Sequence, residues 1–403
     1  MMRRGIAALA LGIVLLLSAC TGDETPPPQE TTPRTPSDGN RLEWSAEPLW
    51  RGDTAGLPGV LRSGFRTARF AGGLTLLEWG SDTIAVVDSD TGRPAWTASR
   101  EPRTDPTAKN FVPFNPTGRA PVATIGGDTM LFAGFFSDGE QSTAAFRLSD
   151  GEPLWLASVE YGVADADDHL VVVRLGEQPH TRALDATTGV PRWDAPGLWP
   201  RFVAGDRVLA EISSKEPDQD ADDSTLVALD AVSGRQVWSL VDRYTRSEVA
   251  FVAGGVALVY ARAAGEARDR AVVLDVSTGA EITRLGWDWG ARTTCATDHT
   301  AVIACTLDKQ LDTYAGLSGR LVTFDVRSRQ SHPAPAKDLR DTEVSAVWDG
   351  YVFVRAHHTT WAVDRDGARA SADLPGDLIG IDDRHVVVLR SGSTSGIASY
   401  ALD

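Results

Sequence analysis

The sequence predicts an all-β chain: an eight-bladed β-propeller of four-stranded antiparallel blades, closed by pairing of the N- and C-terminal strands. Three observations predict it. One strand–turn–strand pattern recurs from Asp88 to Asp403. The strands leading into it are apolar on both faces. A segment near the start repeats a strand found inside the pattern. The composition agrees, with 403 residues, 42% hydrophobic, 23% charged and 38 glycines. That excludes collagen, a mainly disordered chain and a polytopic membrane protein. With 55 acidic against 39 basic residues the formal charge is −16. So acidic a chain repels phosphates and is a poor partner for nucleic acid.

The first residues set an address. Met1-Met2-Arg3-Arg4 is a short basic start, and Gly5 to Leu17 is an unbroken run of apolar and small residues. This is the layout of a secretory signal, and it is shorter than the ~20 apolar residues a membrane-spanning helix needs. Leu17-Ser18-Ala19-Cys20 resembles a bacterial lipobox. The resemblance implies cleavage before Cys20, lipidation of its thiol and anchoring through acyl chains. Residues 21–40 are rich in Pro, Thr and acidic side chains and lack large apolar ones, so they cannot build a core. The expected organisation is a signal peptide at 1–19, a Pro/Thr-rich disordered tether at 20–41 lipidated at Cys20, and the propeller at 42–403.

Each copy of the repeat has an apolar strand ending in Asp, a turn with Thr or Ser and then Gly, and Trp four residues past the Gly. Asp88, Gly92 and Trp96 form the first copy; Asp185, Gly189 and Trp193 another; Asp230, Gly234 and Trp238 a third. Gly151 and Trp155 follow Arg147 in the Asp place, and Asp275 with Gly279 has Thr283 in the Trp place. Worn copies stand at Asp325, where Arg329 replaces Gly, and at Asp364, with Gly367 one residue early; the chain ends on Asp403. The anchors are 38 to 59 residues apart, a period that reads as propeller blades.

Each motif residue has a mechanical reason. Asp accepts hydrogen bonds from the backbone of the turn that follows. Gly supplies the positive φ that a tight turn demands. Trp offers a wide face for packing between neighbouring units. Runs such as Leu170-Val171-Val172-Val173 and Val386-Val387-Val388-Leu389 suit strands covered on both sides. Ala46-Glu47-Pro48-Leu49-Trp50 matches Gly151-Glu152-Pro153-Leu154-Trp155 at four of five positions. Trp50 is therefore expected on the outer strand that the last blade lacks, which would close the ring and cover a sheet edge.

The Ala-Leu-Asp-x-x-Thr-Gly-x-x-x-Trp signature, over Trp44 to Asp403, resembles the repeat of quinoprotein-type (PQQ-like) β-propellers. The resemblance implies one of two roles. The enzymatic branch binds pyrroloquinoline quinone and calcium, typically against a disulfide between adjacent cysteines. The other branch, which includes the outer-membrane assembly lipoprotein BamB, is non-catalytic and binds partners through propeller loops. The only cysteines are Cys20, Cys295 and Cys305, none adjacent, and no residue set maps onto a calcium site. The expectation is therefore a monomeric scaffold with no catalytic residues, cofactor or metal, its partners the membrane and envelope proteins. A quinone-dependent dehydrogenase and a small-ligand or glycan sensor using the central channel are the rivals.

Cys295 and Cys305 flank a turn around Asp298 and could form a disulfide or remain buried thiols. Asp218 to Asp223 has carboxylates at calcium-loop spacing but lacks the Gly at six and a Glu at twelve, so it reads as a solvated acidic loop; Asp165, Asp167 and Asp168 read likewise. His357-His358 point to opposite sides of an extended segment and do not share a metal. Long loops at 100–118, 137–142, 176–180, 213–224, 262–270 and 307–319 fall mostly on the face opposite the Asp–Gly turns. Phe111, Phe114, Trp199, Trp287, Trp289 and Tyr314 gather there and form the candidate binding face, unless they plug gaps between blades.

Overall fold

The recurring turns break the chain into short strands that stack outward from a common axis, one sheet per repeat. A computed structural model describes residues 42–52, 65–79, 83–99, 108–109, 112–114, 121–137, 140–158, 162–176, 178–213, 224–289, 294–298, 301–306, 321–334, 339, 342–356, 359–364, 367–374, 376–390 and 396–402. Strand β1 (Trp50–Arg51) comes first but belongs to the last sheet. Blade I holds β2 (Phe65–Ala71), β3 (Leu74–Trp79), β4 (Thr83–Asp88) and β5 (Pro94–Ser99), with β6 (Ala108–Lys109) added in parallel. In blade II, β7 (Val112–Phe114) and β8 (Val122–Ile125) both pair with the long β9 (Asp128–Ser137), followed by β10 (Glu140–Arg147) and β11 (Pro153–Ala157).

Blade III is β12 (Val163–Ala166), β13 (Leu170–Arg174), β14 (His180–Asp185) and β15 (Pro191–Pro196). Blade IV is β16 (Trp199–Ala204), β17 (Arg207–Ile212), β18 (Thr225–Asp230) and β19 (Gln236–Ser239). Blade V is β20 (Arg246–Ala253), β21 (Val256–Arg262), β22 (Asp269–Asp275) and β23 (Glu281–Trp289). Blade VI is β24 (Thr294–Thr297), β25 (Val302–Thr306), β26 (Leu321–Asp325) and β27 (Gln330–Ala334). Blade VII has β28 (Glu343–Trp348), β29 (Tyr351–Ala356) and β30 (Thr359–Val363); its fourth strand is reduced to bridges from Val363 to Arg369 and Thr360 to Leu374. Blade VIII is β31 (Asp377–Ile381), β32 (His385–Arg390), β33 (Gly396–Ala401) and β1.

The chain ends meet as the sequence predicts. Trp50 pairs with Ser399, Arg51 with Ala398, and Trp44 bridges to Leu402. The same segment reaches further back, where Leu42 bridges to Ser371 and its N–H donates to the Ala370 carbonyl at 2.9 Å. The N-terminal strap therefore ties blades VII and VIII together as well as completing the latter.

Eight apolar clusters hold the described residues together, and each one lies between two neighbouring blades. Alternation along one strand divides its side chains between two clusters. Val171 and Val173 of β13 pack toward blade II, while Leu170 and Val172 pack toward blade IV. This is why the strands are apolar on both faces: successive side chains point to opposite sides, and here both sides are covered.

The tryptophans lock the seams. Trp50, Trp96, Trp155, Trp193 and Trp238 each lie on the motif glycine of the next blade, respectively Gly92, Gly151, Gly189, Gly234 and Gly279. Each indole Nε1–H also donates, at 2.7–2.9 Å, to a carbonyl in that turn: Ser89, Leu148, Ala186, Ala231 and Val276. A Cβ at Gly189 would lie 2.5 Å from the Trp155 ring, at a φ of +71°. The glycine is thus required twice, by the turn and by the ring lying on it. The motif Asp fastens its own turn: Asp88 Oδ1 accepts from the Thr91 N–H and hydroxyl at 2.8 and 2.7 Å. Where Arg147 replaces Asp, it pairs with Asp150 at 2.9 Å, and Asp150 takes over the turn.

One seam departs from this. Thr283 leaves blade V without its Trp, and Arg329 stands in the Gly place of blade VI at a φ of +57°. The Arg329 side chain crosses to Asp275 of blade V at 2.8 Å. The hydroxyls of Ser277 and Thr278 together with Arg329 hold the Asp275 carboxyl down at about 2. Such a carboxylate contributes stability present above its usual value of 3.8 and lost as pH falls toward about 2.

Gly189→Ala is expected to lower unfolding stability by about 2–4 kcal/mol, from backbone strain plus eviction of the Trp155 ring. Gly205→Ala has the same kind of backbone but no atom within 4 Å of the new Cβ, and is expected to cost only about 1–2 kcal/mol. Urea denaturation of the two variants compares them; equal losses would mean the clasp contributes nothing.

Candidate functional site

Around the axis, the first strands of successive blades contact one another: β12 with β16, β16 with β20, β20 with β24, β24 with β28, β28 with β31, and β31 with β2. Six of these inner strands carry a β-bulge in their pairing with the second strand. In blades III, IV and V the extra residues are Ala164, Arg201 and Ala250. A bulge bends a strand and re-aims its side chains. These three residues line a cavity of about 1100 Å³ in the central channel.

The cavity has an apolar flank and charged ends. Phe202, Val203, Val249, Phe251 and Val252 form the flank. Arg174 and Arg201 stand where β13 ends and β16 begins, toward the loop-bearing face; Asp206, Asp275 and Arg329 stand at the Asp–Gly turn face. Arg201 pairs with Glu211 at 2.9 Å and Glu248 at 3.5 Å. The charges continue through Arg246, 3.2 Å from both Glu248 and Asp269, to Arg262, 2.7 Å from Asp269. Burial pushes the Glu211 carboxyl up, against the pull of Arg201. Arg69 pairs with Glu78 at 2.8 Å.

Asp165 does not belong to a solvated acidic turn, as expected from sequence. It sits on the inner strand of blade III, and its Oδ2 accepts from the Val203 N–H of blade IV at 2.8 Å. Burial pushes its carboxyl up to about 6, with Arg69 and the amide donors opposing. Asp167 does cap its turn, accepting from the His169 and Leu170 N–H groups at 2.8 Å.

The sequence-derived binding face fares unevenly. Trp199 is not an exposed contact residue: it is 1% exposed, and the Arg174 guanidinium carbon lies 4.1 Å from its ring centre. It plugs the inner wall between blades III and IV because it opens the innermost strand, not a loop. Phe114 lies on β7, its backbone paired with Gly134, and Trp287 and Trp289 lie near the end of β23, where Trp289 pairs with Asp269. Phe111, Tyr314, His357, His358, Asp218 to Asp223 and Cys20 lie outside the described residues. Cys295 and Cys305 face each other across β24 and β25 and are joined by a disulfide, Cα–Cα 4.1 Å. This cross-strand pair is not the adjacent-cysteine platform of the quinone enzymes. Nor, among the described residues, do three or more His, Cys, Asp or Glu side chains cluster to hold a metal. The described residues therefore offer neither that platform nor a calcium-ligand cluster.

Sequence reasoning passed over Arg69, Arg174 and Arg201. Each lies on or at the end of a strand and carries no motif; only the bulges and the convergence of three blades bring them together.

Clasped seams and a ring closed by the chain ends define a β-propeller of PQQ-like repeats. A family model described as outer membrane protein assembly factor BamB matches residues 80–198 and 140–372, and the chain belongs to that family. Among solved structures, BamB from Moraxella catarrhalis aligns with a TM-score of 0.50 and 13% identity, covering 83% of this chain and 96% of that one. The computationally designed Ika8 protein gives 0.53 and 14%, covering 84% and 96%. The Dos1 propeller gives 0.52 and 11%, covering 84% and 92%. At these identities the likeness is one of fold. No curated protein sequence matches the chain.

A carboxyl raised to about 6 makes the native state hold a proton that the unfolded chain has lost. Its effect is a stability that is highest below pH ~4 and declines as pH rises through about 6. Asp165→Asn is expected to flatten that decline and to raise stability at about pH 7.5 by roughly 1–3 kcal/mol. Urea titrations at about pH 4.5 and about pH 7.5 measure both effects.

Proposed function

We propose that the chain is an extracytoplasmic lipoprotein, anchored through Cys20, whose propeller is a non-catalytic protein-binding scaffold of the cell envelope. The observation that carries this reading is the match to the outer membrane assembly factor family across most of the propeller, in a chain whose start reads as a lipobox. A ring of clasped blades supports it physically: a scaffold fixes where its loops emerge, and loops presented in this way often carry binding. The tether between Cys20 and Leu42 supplies reach from the membrane. The partners are envelope proteins that meet the loop-bearing face by shape and charge.

Cys20→Ala is expected to move the protein from the membrane to the soluble fraction and to abolish incorporation of a clickable palmitate analogue. Membrane retention of that variant would rule out the anchor. Replacing Trp287 and Trp289 together by Ala is expected to reduce cross-linking to envelope proteins in intact cells while leaving the melting temperature within a few degrees. Lost stability with unchanged cross-linking would assign the pair to packing instead.

A further inference from the structure

We infer that the channel cavity, bordered mainly by blades III to V, binds a small amphipathic acid, its carboxylate beside Arg174 and Asp165 and its apolar body against Phe202 and Phe251. The volume, about 1100 Å³, suits an organic molecule, and ligand pockets combine apolar walls with a few converging polar groups. Both phenylalanines are only partly buried by protein and line the space. The sign of the head group follows from what faces the cavity. Arg69, Arg174 and Arg201 line it together with Asp165, while the lining carboxylates Asp206 and Asp275 stand with Arg329 at the Asp–Gly turn end; Glu78 and Glu211, the partners of Arg69 and Arg201, are buried outside the lining at 5% and 1% exposure. Arg174 is itself 8% exposed, its guanidinium carbon over the buried Trp199 ring. A planar fork fixed in this way is suited to receiving a carboxylate.

Asp165 makes the site sensitive to pH. Facing it are Arg69 of blade I, the Val203 amide of blade IV and Asp167 of its own blade, with Arg174, Arg201 and Asp206 on the same cavity wall. Neutral Asp165 can donate an O–H hydrogen bond to the incoming carboxylate, whereas charged Asp165 repels it. With its carboxyl raised to about 6, affinity for the acid falls as pH rises through that value. The inference is independent of membrane anchoring and of any protein partner.

The test is calorimetric titration of the full chain in detergent with 4-phenylbutyrate and its neutral analogue 4-phenylbutanol, subtracting micelles alone. The acid is expected to bind at least about tenfold more tightly than the alcohol at about pH 5.5. Its affinity is expected to weaken about twentyfold by about pH 7.5, the change in the neutral fraction of Asp165. Asp165→Asn is expected to remove the pH dependence. Arg174→Gln is expected to erase the preference for acid over alcohol, and Arg174→Lys to restore part of it. Phe251→Trp, which fills the cavity without touching the charges, is expected to weaken both ligands. Failure of both to bind, equal binding of acid and alcohol, or acid binding unchanged in Arg174→Gln and Phe251→Trp would overturn the inference. Should Arg174→Gln not fold, Phe251→Trp and the pH profile decide it.

Discussion

The whole structure depends on burying both faces of every blade. A single twisted sheet of four short strands has no core of its own; here each sheet becomes one wall of two cores. The eight apolar clusters are seams, not blade interiors. No blade is then stable without its neighbours, and the series has to close. The strap from Leu42 to Arg51 meets that need by giving the last blade its outer strand and placing Trp50 on the turn of the first.

The Trp–Gly clasps fix how neighbouring blades sit. The indole lies where only a hydrogen can face it, and its N–H satisfies a carbonyl that the turn leaves open. Steric fit and a directional bond acting together set both the spacing and the register of the seam. The clasps run in sequence from the VIII–I seam to the IV–V seam. At V–VI an ion pair between Arg329 and Asp275 takes over. Both residues also border the channel cavity, so this seam and the cavity wall share the same charges.

The interior of the channel follows different rules from the seams. Seam positions are filled by Val, Leu, Ala and Trp, whereas the inner wall carries arginines and carboxylates in ion pairs. The charged chain from Arg201 to Arg262 runs from β16 and β17 of blade IV to β20, β21 and β22 of blade V. Its buried members are matched by partners of opposite charge, as low-dielectric surroundings require. On the same inner wall, outside that chain, burial pushes the Asp165 carboxyl toward its neutral form, as it does Glu211 within it.

The sequence by itself determined the repeat, the blade number and the closure. Asp–Gly turns and the matching Glu-Pro-Leu-Trp segments are local signals, legible wherever a strand ends and a turn begins. It also set Cys295 and Cys305 on either side of one turn, with disulfide and thiols both open; the structure joins them. Only the tertiary structure decided that Trp199 is buried, that blade VII loses its regular outer strand, and that Arg69, Asp165, Arg174 and Arg201 share one wall. The physical reason is separation along the chain. Those four side chains come from three blades, and their meeting depends on ring curvature and on β-bulges, which leave no mark in composition or periodicity. Asp165 looked like a turn residue because two more aspartates follow it; its neighbour across the seam, the Val203 amide, is 38 residues away.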